Sequence, residues 1–154
     1  MGMDVSPPVA RPGIRAGVLW AGGLATAVIA ALVALVATLV CESILGVDLL
    51  PAAAVGVLGW SDAASYPAGA AVLALLATAV LHLLMIAVPQ PLRFFSWLLV
   101  LAGAALAAAP FAYDASLDRK VATAIVQVIV VIAIGTLSTG VAHRAVDRAP
   151  APPA

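Results

Sequence analysis

Residues 16–41 read AGVLWAGGLATAVIAALVALVATLVC, 26 consecutive positions without a charged side chain. A hydrocarbon core of about 30 Å needs roughly 20 apolar residues of helix, so this stretch is long enough to cross a bilayer. Three further stretches free of Asp, Glu, Lys and Arg follow, at residues 63–92, 94–113 and 121–143. Tyr66-Pro67 reads as a helix start, since proline is tolerated in a first turn, and Pro89-Gln90-Pro91 reads as a tight connection. The spacing predicts helices near 16–41, 67–88, 92–113 and 120–143. The fold class expected is all-α: a polytopic membrane protein built as a four-transmembrane-helix up-down bundle.

Other readings of the same stretches fail on simple counts. A soluble four-helix bundle would carry a charged face on each helix. A secretory signal has an apolar core of roughly 7–15 residues and a small-residue cleavage site; the first stretch is too long and has none. Lipid attachment at Cys41 would want a small residue before it, and Val40 stands there.

Across all 154 residues, 65% are hydrophobic and 9% charged, and mean hydropathy is +1.20. Seven basic residues balance seven acidic ones, which argues against a nucleic-acid partner held through a basic patch. A single cysteine excludes a disulfide framework and a paired-cysteine zinc site. No cofactor is expected.

Orientation follows from arginine and lysine in short flanks. Arg11, Arg15, Arg93, Arg144 and Arg148 fall on one side of the four-span scheme, against Arg119 and Lys120 on the other. Both termini and the Pro89–Pro91 turn are therefore expected in the cytoplasm. The eight aromatic residues sit at span ends: Trp20, Phe94, Phe95 and Trp97 at inner ends, Trp60, Tyr66, Phe111 and Tyr113 at outer ends. That is the distribution expected of headgroup-level anchors. Residues 1–15 form a proline-bearing, disordered cytoplasmic tail, residues 16–148 the membrane domain, and residues 149–154 (APAPPA) a second extended tail. The outer loop, residues 43–66, is long, and its apolar middle, residues 52–60, is expected to lie along the interface or cap the bundle.

Between helices in lipid, close approach over small residues matters most. Gly22, Thr26, Ala30, Ala34 and Thr38 repeat at every fourth position of the first span, giving a helix-packing stripe. Ala70, Ala74 and Thr78 do the same in the second, with His82 next in line. His82 is the one ionisable residue well inside a span, and such residues are functional candidates. Thr136, Ser138 and Thr139 lie at similar depth in the fourth span, and the imidazole is expected either to bond one of these hydroxyls and join the helices or to serve a proton or ligand role. Gln127, roughly 13 Å away in depth by helical rise, is expected to bond between helices. These five polar residues are the candidate intramembrane site. No intramembrane carboxylate, HExxH motif or phosphate-binding loop accompanies them, so an enzyme is not expected.

Ile44-Leu45-Gly46-Val47-Asp48 after the first span, two helices joined by a short turn, and an Ala/Leu-rich third helix ending at Ala109-Pro110 form a pattern. With the final segment, residues 118–148, and the apolar run at 122–131, it resembles a family of uncharacterised actinobacterial four-helix membrane proteins over residues 15–148. That resemblance implies the four-span architecture and a bacterial plasma membrane, with no activity attached. The family would have a His-Leu pair early in the last helix, where this chain has Gln127-Val128. The function expected is that of a non-enzymatic accessory or structural subunit, associating with itself or another membrane protein in the lipid bilayer. The alternative is a small-solute or proton-coupled transport component using His82.

Overall fold

The structure, a computed structural model, describes residues 16–50 and 65–145. The terminal tails and the apolar middle of the outer loop lie outside the described residues. Helix α1 (Ala16–Leu39) runs into a π-helical turn (Val40–Ile44). Then come α2 (Ser65–Ala87), α3 (Pro91–Ala108) with a 3₁₀ turn (Ala109–Ala112), and α4 (Leu117–Ala145). No strand occurs among the described residues. All four helices are long and apolar enough to cross a membrane.

The helix ends have local causes. α1 contains no proline, and it stops where Gly46 takes φ +63°, the left-handed region that favours glycine. There the Val47 N–H bonds back to the Cys41 carbonyl at 2.9 Å. Pro91 occupies the first turn of α3, where its missing N–H costs nothing. Pro110 ends the regular part of that helix and tightens it to 3₁₀. α4 begins at Leu117, three residues before the expected 120, so Asp118 and Arg119 also belong to its first turn. Asp118 there faces the positive end of the helix dipole.

The helices form a ring in chain order. α1 packs most extensively on α2 and next on α4, α3 leans on α4 and less on α2, and α2 also meets α4 across the diagonal. Small side chains dominate the middle of the interior and larger ones the end near Phe95. Ala27, Ala30, Ala34, Ala70 and Ala74 meet Val130 and Ile134 in one cluster. Leu19, Leu81, Phe95 and Ala142 form another. Bulky residues point away: Leu24, Val28, Leu32 and Val36 are each more than half exposed along α1. That inside-out distribution suits a bundle whose solvent is hydrocarbon, where van der Waals fit replaces the hydrophobic drive.

Of the first-span stripe, Thr26, Ala30, Ala34 and Thr38 are buried and Gly22 is half-buried. The threonine hydroxyls do not reach across helices. Thr26, Thr38 and Thr78 each donate to the carbonyl four residues back, at 2.9 Å. Self-satisfied in this way, threonine behaves as a small apolar residue at the contact. Two aromatic residues depart from the anchor role. Phe95 is fully buried in the bundle, and Tyr66 is buried with its hydroxyl directed inward.

Candidate functional site

The five polar residues singled out in the sequence fall into four separate places. His82 is half-buried on α2, its ring beside Trp20 of α1 with centroids 6.4 Å apart and planes inclined by 59°. Its Nδ1 is buried and has no hydrogen-bond partner among the described residues. The expected bonds from Thr136, Ser138 or Thr139 are not made. Thr136 and Thr139 donate to carbonyls of their own helix, Ile132 and Gly135, both at 2.9 Å. They face a groove between α3 and α4. Ser138 is buried beside Leu19, Gly23, Thr26, Thr78 and Leu81, and its Oγ is unpartnered. Threonine lowers the cost of burial by bonding backward, so depth alone does not make it available to a neighbouring helix.

A buried ring nitrogen without a partner costs stability, because nothing in the surroundings replaces its bond to water. Replacing His82 by leucine is therefore expected to hold or raise thermal stability in detergent. A loss of more than about 1 kcal/mol would instead make His82 an interhelical hydrogen-bond donor or acceptor.

Gln127 belongs to the opposite end of the bundle, 93% buried by its 7% exposure. It borders a cavity of about 30 Å³ together with Tyr66, Ala34, Ala70 and Val130. Its Oε1 is unpartnered among the described residues. One turn further out, Thr123 is fully buried. Here the structure assembles a polar cluster that the sequence did not announce. The Leu50 N–H donates to Thr123 Oγ1 at 3.0 Å, and the Tyr66 hydroxyl donates to the Leu50 carbonyl at 2.5 Å. Nearby, Arg119 Nε donates to the Asp48 carbonyl at 3.0 Å, with Nη2 3.6 Å from Asp48 Oδ2.

These bonds tie the irregular segment after Gly46 across the Tyr66 end of α2 and the Thr123 end of α4. Both backbone groups of Leu50 are satisfied by side chains from two helices, which is what buried irregular backbone needs. Cys41, Tyr66 and Val126 pack directly beneath. The partners are 73 and 16 residues apart, so no spacing motif could have linked them. The available signal was Thr123 one turn before Gln127 on the same face of α4.

Chemically the cluster holds a strap. Its described members are hydroxyls, an amide and backbone groups. Among the described residues no group of three or more His, Cys, Asp or Glu side chains could hold a metal ion. No protein-family model, curated protein or solved structure matches this chain.

Proposed function

We propose that the chain is a small non-enzymatic membrane subunit that acts by helix–helix association, with α3 as its contacting element. The observation that carries this reading is unequal burial. α1 buries seven residues, whereas Phe95 alone is buried along α3. Phe94, Trp97 and Leu101 point outward and are each more than half exposed; Ala105 and Ala108 continue their strip. Bulky at one end and small at the other, that strip suits a partner helix crossing close over the alanines. The membrane is taken to be a bacterial plasma membrane, as the resemblance implies, with both termini cytoplasmic as the arginine distribution implies.

Transport through His82 has one observation in its favour, the unpartnered Nδ1. It is supported less, because the cavities lining α2 and α4 are apolar and bordered by other residues.

Native mass spectrometry of gently extracted protein tests the association. A stoichiometric protein partner, or a second copy, is expected. Trp97→Ala with Leu101→Ala should weaken it at least tenfold, since aromatic anchors dominate such contacts. A monomer under all gentle conditions, or an assembly indifferent to both substitutions, would overturn the reading. Orientation is tested separately in a Cys41→Ala background with single cysteines at Asp62, Asp118 and Arg148. An impermeant thiol reagent added outside should modify the first two only.

A further inference from the structure

The groove between α3 and α4 has a volume of about 500 Å³. Its floor is set by small residues, Gly103, Ala104, Ala107 and Gly135, with Ser96, Thr136 and Thr139 toward one end. All three hydroxyls are bonded to their own helix carbonyls at 2.9 Å, so the surface they offer is largely methyl and methylene. The helices run antiparallel there: Gly103 lies opposite Val131, and Gly135 opposite Leu99. From Ser96 to Ala107 the groove covers about 16 Å of helix rise. That is close to half of a hydrocarbon core of about 30 Å, the depth of one leaflet.

The end of the groove at Ser96 and Thr139 has a distinct charge. Arg93 precedes Ser96 by three residues on α3, and His143 follows Thr139 by four on α4, so each extends one wall of the groove by a turn. Both are exposed. The described carboxylates, Glu42, Asp48, Asp114 and Asp118, all belong to the opposite end of the bundle. Trp97, 63% exposed one turn from Arg93, marks the level of the headgroups.

We propose that this groove seats one acyl chain of an anionic phospholipid, with Arg93 and His143 holding its phosphate. A cationic end on an apolar slot of leaflet depth is complementary to a chain with a charged head. Arg93 supplies a forked donor for phosphate oxygens, and His143 adds an N–H from the other wall. The site goes beyond the association reading, because the partner strip on α3 faces outward beside the groove and uses different side chains.

The test is lipid retention by the full chain in detergent, read by native mass spectrometry with added phosphatidylglycerol or phosphatidylcholine. Retention of phosphatidylglycerol over phosphatidylcholine is expected by about tenfold, or roughly 1.4 kcal/mol, because both carry the phosphate but the choline ammonium offsets its charge beside Arg93. Arg93→Gln should abolish that preference, and Arg93→Lys should keep most of it, which separates charge from misfolding. Ala104→Leu, at an exposed groove position, should cut retention of both lipids. Equal retention of the two lipids by the native chain would overturn the proposal. So would a preference untouched by Arg93→Gln, or a second protein chain whose binding Ala104→Leu abolishes while lipid retention is unchanged. Partner association through Trp97 should be insensitive to Arg93→Gln, so each proposal can fail without the other.

Discussion

Gly23→Ala is expected to destabilise the bundle by about 1–3 kcal/mol, the range typical of one extra methyl in a packed contact. A Cβ at Gly23 would lie 2.5 Å from Thr78 Cγ2, 2.7 Å from its Oγ1 and 3.0 Å from its Cβ. Thr78 has no easy retreat. Its Cβ is fixed to the backbone, and its hydroxyl is held by the Ala74 carbonyl at 2.9 Å. The two helices must therefore separate at their most extensive contact. Gly22 has the corresponding role toward α4, where a Cβ would meet Val141 Cγ1 at 2.3 Å. The control is the same substitution at Gly140, which has nothing within 4 Å of the added atom. There, alanine should be neutral or stabilise by about 0.5–1 kcal/mol, because glycine is the poorer helix former. Reversible unfolding in mixed detergent micelles reads the difference directly. Equal effects at Gly23 and Gly140 would remove the close-packing account of the α1–α2 contact.

Tyr66→Phe should open the outer strap and can be followed through the chain's one thiol. The substitution removes the donor to the Leu50 carbonyl and leaves a buried backbone group unpaired, a cost of about 1–3 kcal/mol. Cys41 is buried against Tyr66 and Val126. Opening of the strap exposes it to a small thiol reagent. Labelling should accelerate roughly tenfold, the ratio that corresponds to about 1.4 kcal/mol. Thr123→Val attacks the other half of the clasp, the bond from the Leu50 N–H. Because both act on one residue's backbone, the double variant should fall short of the sum of the two single effects. Unchanged labelling in both single variants would mean that the hydrogen bonds to Leu50 do not hold the segment closed.

Amino-acid order alone determined the number of helices and their approximate ends. Charge-free length fixes how many times a chain can cross hydrocarbon, and Pro91, Pro110 and Gly46 act on the backbone locally, whatever surrounds them. The repeat of small residues from Gly22 to Thr38 was equally legible, since every fourth position of a helix shares a face. What it would meet was not.

Only the tertiary structure decided which faces turn inward. In these helices apolar residues surround the whole circumference, so hydropathy carries little direction. Phe95 and Phe94 are neighbours of like character, yet the first is fully buried and the second is 55% exposed. Thr136 and Thr139 lie at the depth of His82 but face the α3–α4 groove, with their hydroxyls bonded within their own helix. The clasp on Leu50 arises because a segment leaving α1 at Gly46 must satisfy its backbone where water does not reach. The nearest donors and acceptors happen to be carried by α2 and α4. Such a bond is fixed by the positions of three helices at once, and a linear pattern holds no record of it.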